Sequence, residues 1–349
     1  MAETKVKQQI LSLELTKLIA ACFVVCIHAP FPGKLGDIVM CLGRFAVPFF
    51  FAVSGYFSLR IDRTRIRKRM THILKLHLIT AVLCVAMGCI LRIGNIQDLL
   101  YYLRWETLPD TNEWIRLLIL QENPYGGHLW YLSSLLLCYG VLWGYETFWE
   151  GESGKTGPLY RAAFTLFATF CAMSMLVRME GMQVPFKAYR NGWLMGIPMF
   201  TMGMFLHEYQ ERIMNNFCLT DRKMALLMAL GAVLTVMQQL SGGAGELPFG
   251  MLLLVPVLLL FLMKHPQLPV KNNWAQKLVS RFGVLSTAVY LLHIAALDLY
   301  NLFLKERALA LFGTKEDMLM PLVVLAMTFV GAFLWERIDW ILIGKKCHG

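Results

Sequence analysis

Apolar segments of about 20 residues recur along the whole chain, and they limit the possible folds more than any other feature. Crossing the hydrocarbon core of a bilayer takes about 17 to 25 largely apolar residues in a helix. Of the 349 residues, 57% are hydrophobic and only 16% are charged, against roughly 25% charged residues in a soluble domain. The sequence therefore predicts an all-α, polytopic membrane protein.

About ten segments have the length and composition of a transmembrane helix. They are residues 10 to 30, 38 to 58, 73 to 91, 128 to 148, 161 to 178, 192 to 206, 224 to 240, 247 to 264, 282 to 303 and 319 to 343. No long polar stretch separates them, so we expect a single membrane domain over residues 1–349. The first segment carries Glu14 and Lys17 and lacks a following small-residue cleavage pattern, so it is expected to stay in the protein.

The positive charge of the chain, +10 overall, is unevenly distributed between the connections. With ten spans, both termini lie on one side, and that side carries Lys and Arg in roughly a two-to-one excess, which predicts cytoplasmic termini. No soluble basic module is visible, so nucleic acid is not an expected partner. The nine cysteines lie mostly within apolar segments and form no metal-ligand pattern, so we expect buried thiols and no metal site.

Three ionisable residues fall in the first span: Glu14, Lys17 and His28. At 100° per residue they share one helix face, and ionisable side chains within the bilayer are functional candidates because they are costly there. Glu14 and Lys17 form an i, i+3 pair that can neutralise itself. His28 lies about 16 Å further along the helix, where it either hydrogen-bonds a neighbouring helix or acts as a catalytic base.

Arg44 falls in the second span at about the depth of His28. A buried guanidinium needs a partner, which is either an acid on another helix, such as Asp37 or Asp298, or a bound substrate or developing oxyanion. In the same segment Pro48 predicts a kink, and Ser54 follows it.

Two connections stand out by their composition. One contains six basic residues, which anchor the topology on anionic lipid or bind the phosphates of a cofactor; they are Arg60, Arg63, Arg65, Arg67, Lys68 and Arg69. The longest connection, residues 92 to 127, is predicted to face outward and is rich in tryptophan and tyrosine, which suit the membrane interface or a sugar-stacking platform.

Two motifs followed by this basic run carry a family resemblance. They are LELTKLIAACFVVCIH at residues 13 to 28 and RFAVPFFFAVSGYF at residues 44 to 57. Together they resemble the acyltransferase-3 family of membrane acyltransferases. The resemblance implies that His28 is the catalytic histidine, with Lys17 at the position of a family arginine. It also implies that Glu14 and Arg44 take part in catalysis, and that Arg67 with Arg69, or Arg65 with Arg67 in another register, binds the phosphates of coenzyme A.

Three further segments look most like the membrane domain of vancomycin-resistance serine racemases and their stand-alone relatives. They begin at His128, Arg190 and Val289. The resemblance implies substrate-binding residues, which are Ser54, Tyr56, His128, Trp130 and His293. Many sugar O-acetyltransferases carry a glutamate shortly after the tryptophan of the fourth span, whereas Ser133 and Ser134 stand there in this chain.

The resemblance implies transfer of an acyl group, most simply acetyl, from cytoplasmic acyl-CoA to a hydroxyl of a cell-surface glycan or cell-wall acceptor. The expected setting is the bacterial plasma membrane, and an oligomer is compatible with the sequence. A transporter of a small amino acid such as serine is the alternative, with discontinuous helices as its structural device. The residues that could break them are Gly192, Gly196, Pro198 and Gly203 in the sixth span, and Gly242, Gly243 and Gly245 further along the chain. A scaffold subunit whose polar residues only hold helices together is the third possibility.

Overall fold

In the computed structural model, which describes residues 9–148, 156–179, 190–241, 248–269 and 272–342, the chain is helical and has no strand within those residues. It divides into two compact units. Unit 1 comprises Met1–Ala46, Thr220–Met237 and Phe249–Gly349, and unit 2 comprises Val47–Leu219 and Gln238–Pro248.

The α-helices are numbered in chain order. They are α1 Leu11–His28, α2 Gly33–Gly43, α3 Ala46–Tyr56, α4 Arg63–Arg92, α5 Ile96–Tyr101, α6 Thr111–Leu120, α7 Trp130–Phe148, α8 Gly157–Met179, α9 Ile197–Asn216, α10 Asp221–Leu240, α11 Met251–Lys264, α12 Asn273–Ser280, α13 Phe282–Phe303, α14 Lys305–Phe312 and α15 Glu316–Leu342. Single π-helical turns at Tyr102–Glu106 and Gly192–Gly196 precede α6 and α9.

Each of the ten predicted spans overlaps a helix or a pair of helices. Among the described residues, six stretches are long and apolar enough to cross a membrane, which confirms a multi-pass membrane protein. They are Leu11–His28, Gly33–Tyr56, Arg63–Arg92, Asp221–Leu240, Asn273–Phe303 and Lys305–Arg337. Ten crossings and cytoplasmic termini stay predictions.

Unit 1 is organised around α13, which packs against α1 on one side and α15 on another. Small residues allow α1 and α13 to approach closely, since Ala20 and Ala21 on α1 and Ala288 on α13 are fully buried. Glu14, near the start of α1, lies against Gly283, near the start of α13. His28, at the end of α1, contacts His293 further along α13. The two helices therefore run parallel.

The second predicted span is two helices, not one. The backbone turns at Arg44 and Phe45, where α2 ends and α3 begins, and the Arg44 N–H bonds the Cys41 carbonyl oxygen at 3.2 Å. Pro48 lies in the first turn of α3, where backbone N–H groups have no acceptor within the helix. The N–H that proline lacks is therefore not needed at this position. The proline thus starts a helix, and the break precedes it.

Unit 2 is built from α4 packed on α7 and from α8 packed on α9. The predicted break in the sixth span is a π-helical turn that leads directly into α9, with Pro198 in the first turn of that helix. Gly203 lies inside the continuous α9 and permits a close crossing with α3. The other glycines assigned to helix breaks, Gly242, Gly243 and Gly245, lie outside the described residues.

Candidate active site

A histidine pair lies where α1 and α13 meet in unit 1. His28 is the last residue of α1 and is exposed, whereas His293, in the middle of α13, is only 1% exposed. Their ring centroids are 4.9 Å apart, and the ring planes are inclined by 47°. The contact joins residues 265 positions apart, so no sequence spacing predicts it.

The protonation of His293 follows from its hydrogen bond. Its Nδ1 lies 2.7 Å from the Tyr290 carbonyl oxygen one turn earlier in α13. A carbonyl oxygen only accepts hydrogen bonds, so Nδ1 must carry a proton, and the neutral ring then has its lone pair on Nε2. This bond also fixes the ring orientation, as a positioned general base or its neighbour requires.

Glu14 and Lys17 form the predicted ion pair near the start of α1. The Lys17 ammonium lies 3.0 Å from Glu14 Oε1, and both side chains are half-buried. The Glu14 carboxylate lies directly against Gly283 of α13, where any side chain would overlap it. Lys17 is eleven residues from His28, about 16 Å along the helix, so the structure joins Lys17 to Glu14 and not to the histidine pair.

Arg44 lies beside the last two turns of α1. Its neighbour Gly43 packs against the Ile27 side chain, and its other neighbour Phe45 makes an edge-to-face contact with Phe23 at 5.7 Å between ring centroids. Arg44 itself is half-buried at the turn between α2 and α3. The prediction that it lies at the depth of His28 therefore agrees with the packing of unit 1.

The basic residues at the start of α4 point in different directions. Arg69 donates hydrogen bonds to Ser58 Oγ at 2.8 Å and to the Tyr139 hydroxyl at 3.3 Å. Arg67 is exposed, because two residues along a helix rotate a side chain by about 200°. Arg65 is also exposed and pairs with Asp62, the N-cap of α4, at 3.0 Å. The structure therefore does not bring Arg67 and Arg69 to one face.

Two of the predicted substrate-binding residues lie in packed surroundings in unit 2. Ser54 shares a side-chain hydrogen bond with Tyr131. Tyr56 is 5% exposed, donates to Gln210 Oε1 at 2.6 Å and stacks on the His207 ring at 4.4 Å between centroids. Both side chains hold helices together in this arrangement.

The remaining predicted substrate residues in unit 2 lie at the start of α7. His128 is buried, with its ring next to Gly126. Trp130 lines a cavity of about 190 Å³. The Arg190 guanidinium lies over the Trp130 ring at 5.2 Å from its centroid and lines the same cavity. The sequence interpretation missed Arg190 and counted it only as a charge of an outward connection. Arg190 and Trp130 are 60 positions apart, and no spacing along the chain predicts their contact.

Comparison with known protein families assigns the chain. The acyltransferase domain of the acyltransferase-3 family matches residues 10–336, from the start of α1 to within α15. Comparisons with curated proteins and with solved structures gave no match, so the likeness to serine racemase membrane domains stays a prediction. The match covers most of the 349 residues and both units. The chain therefore belongs to the acyltransferase-3 family and is a membrane-embedded acyltransferase.

Proposed function

We propose that this enzyme transfers an acyl group, most simply acetyl, from cytoplasmic acyl-CoA to a hydroxyl of an extracytoplasmic glycan or cell-wall acceptor, in the bacterial plasma membrane. The observation that carries the proposal is the contact of His28 with the buried His293 at 4.9 Å. An exposed imidazole beside one of fixed orientation is suited to proton transfer near neutral pH.

In the proposed reaction, His28 accepts the proton of the acceptor hydroxyl as its oxygen attacks the thioester carbonyl carbon. The tetrahedral intermediate carries a negative oxygen, and we assign its stabilisation to Arg44, a role supported by the packing of its neighbours Gly43 and Phe45 against the last two turns of α1. The intermediate collapses, the carbon–sulfur bond breaks, and the proton held by His28 passes to the departing thiolate. The products are the ester and free coenzyme A.

The donor is proposed to enter from the side of the basic segment at the start of α4. Arg69 supports a phosphate contact, since no described carboxylate forms an ion pair with it and its hydroxyl partners leave its charge unbalanced. Cytoplasmic termini, inferred from the two-to-one charge bias, place this segment on the side where acyl-CoA is available. The family match gives no support to serine transport.

Proteoliposomes test this function directly. They are given labelled acetyl-CoA on one side and peptidoglycan fragments on the other, and release of free coenzyme A is followed. We expect acceptor-dependent release by the unaltered chain and a loss of at least about 100-fold in His28→Ala, which removes the general base.

His265→Ala is the matched control, because His265 is a half-buried histidine of unit 1 that directly follows α11 and pairs with Asp221. It should retain full activity. Coenzyme A release that survives in His28→Ala, or serine uptake without thioester cleavage, would overturn the proposed function.

A further inference from the structure

A polar cavity opens in unit 2 between the connection that precedes α7 and the segment that precedes α9. Its volume is about 190 Å³. Two acids, two arginines, an amide and an indole line it together with three small or apolar residues. The lining residues are Glu113, Arg116, Leu120, Glu122, Asn123, Pro124, Gly127, Trp130 and Arg190.

Hydrogen bonds within unit 2 fix the walls of this cavity. Glu113 completes a capping box at the start of α6, with its Oε2 accepting the Asp110 N–H at 3.0 Å. After α6, Gln121 takes a left-handed conformation and its side-chain oxygen accepts the Gly192 N–H at 2.7 Å. This bond ties the connection to the segment that carries Arg190, so the two walls are held together in advance of any ligand.

Asn123 is held in one orientation on the cavity wall. Its Oδ1 accepts the Tyr125 N–H at 2.9 Å, which leaves Nδ2 facing His77 Nε2 at 2.8 Å. An amide nitrogen only donates, so Nε2 of His77 accepts this bond. The amide therefore presents a defined polar surface, which selects for ligand groups by hydrogen bonding.

The charges around the cavity are balanced. The lining contains two carboxylates, of Glu113 and Glu122, and two guanidinium groups, of Arg116 and Arg190. Because the lining as a whole is neutral, a charged ligand meets attraction and repulsion together and still loses its hydration, so the cavity favours a neutral ligand with many hydroxyl donors and acceptors. The Trp130 indole adds apolar surface to the lining beside the Arg190 guanidinium, which lies over its ring.

We propose that this cavity is a binding site for one neutral sugar residue. Its volume is below the roughly 300 to 1,000 Å³ of drug-sized ligand pockets, so it accommodates a single ring and not an oligosaccharide. That this cavity holds the acceptor of the acyl transfer rests on the proposed function. Binding of the sugar by itself requires neither His28 nor acyl-CoA.

Equilibrium binding in nanodiscs, without acyl-CoA, tests the site with three related sugars. N-acetylglucosamine is neutral, glucosamine carries a positive charge and glucuronic acid a negative one. We expect N-acetylglucosamine to bind about tenfold more tightly than either charged sugar, because a charged sugar gives up its hydration and finds no net opposite charge in the lining to replace it. Tightest binding by glucuronic acid or glucosamine would overturn the neutral assignment.

The balance of charge can be shifted by single substitutions. Arg116→Gln leaves the lining with one net negative charge and should improve glucosamine binding relative to N-acetylglucosamine by about fivefold. Glu122→Gln should favour glucuronic acid in the same way. Arg104→Gln is the matched control, because Arg104 is stacked on Trp105 at 5.1 Å in the same connection and does not line the cavity.

The aromatic wall provides a second, independent test. Trp130→Leu should weaken N-acetylglucosamine binding by about tenfold, whereas Trp105→Leu should leave it unchanged. Equal effects of the two substitutions, or sugar preferences that do not respond to Arg116→Gln and Glu122→Gln, would exclude this cavity as the site. Coenzyme A release with no sugar binding would reject the cavity alone and leave the acyl transfer standing.

Discussion

His28 and His293 are in contact but differ in exposure, and the proposed function gives them different tasks. His28 ends α1 at the surface of unit 1 and is able to meet a substrate, whereas His293 is enclosed by α13 and its neighbours. The bond to the Tyr290 carbonyl oxygen fixes the orientation and the tautomer of the His293 ring. We therefore treat His293 as a positioning residue for His28.

Replacing His293 with phenylalanine keeps a ring of similar size against His28 and removes both ring nitrogens. Because the proposed role concerns proton transfer and not binding, kcat should fall by about 10- to 100-fold with little change in KM for acyl-CoA. Steady-state kinetics across a range of pH measures both values and the pH profile. A raised KM at unchanged kcat would contradict the assignment.

The arginines at the start of α4 should respond separately to substitution. Arg69→Ala removes a half-buried charge held by Ser58 and Tyr139, and we expect coenzyme A to bind at least about tenfold more weakly. Arg67→Ala removes an exposed, salt-screened charge and should cost about two- to threefold. Calorimetry with coenzyme A measures both effects.

Arg65→Ala serves as the comparison for the alternative register. Arg65 is exposed and already paired with Asp62, so its removal should leave coenzyme A affinity nearly unchanged. A larger loss in Arg65→Ala than in Arg69→Ala would show that coenzyme A binds Arg65 with Arg67, and not Arg67 with Arg69.

The candidate site was predictable from the sequence only where the contacts are local. Glu14 and Lys17 form the predicted pair because residues three apart on a helix are neighbours. His293 and Arg190 were not placed beside His28 and Trp130, because these contacts come from helix packing, which no spacing along the chain records. Tyr139 was missed as a partner of Arg69 for the same reason.

At the scale of elements, glycines in unit 2 set how closely helices cross. A Cβ on Gly203 of α9 would overlap the Ala52 carbonyl oxygen of α3, and a Cβ on Gly55 of α3 would overlap the Phe200 carbonyl oxygen of α9. Backbones this close are typical of small-residue interfaces between membrane helices. The sequence prediction took Gly203 as a helix break, but it is a contact point within a continuous helix.

Substituting alanine at two helical glycines separates packing from helix propensity. Gly203→Ala forces α3 and α9 apart and should destabilise the protein by about 1 to 3 kcal/mol, the usual cost of overpacking. Gly140→Ala in α7 meets no atom within 4 Å and should instead stabilise by about 0.5 to 1 kcal/mol. Thermal unfolding in detergent measures both changes, and a neutral result at Gly203 would contradict the close crossing.

At the scale of the whole molecule, the sequence predicted helix positions better than helix continuity. Each predicted span coincides with helix, because hydrophobic length is a local property of the chain. The turn at Arg44 and Phe45 was not predicted, since a continuous apolar run does not show where its backbone changes direction. The direction of each crossing rests on the charge bias alone, and a labelling experiment decides it.

Cys218 reports on the orientation of the chain. Among the described cysteines it is the exposed one, and it lies between α9 and α10 in a connection predicted to be cytoplasmic. A maleimide that cannot cross membranes should therefore leave Cys218 unlabelled in intact cells and label it in inside-out vesicles, with Cys218→Ser as the blank. Leu108 is 71% exposed in the connection before α7, which is predicted to face outward. Leu108→Cys should therefore be labelled in intact cells. Labelling of Cys218 from outside, with Leu108→Cys protected, would invert the topology and place the basic segment of α4 away from acyl-CoA.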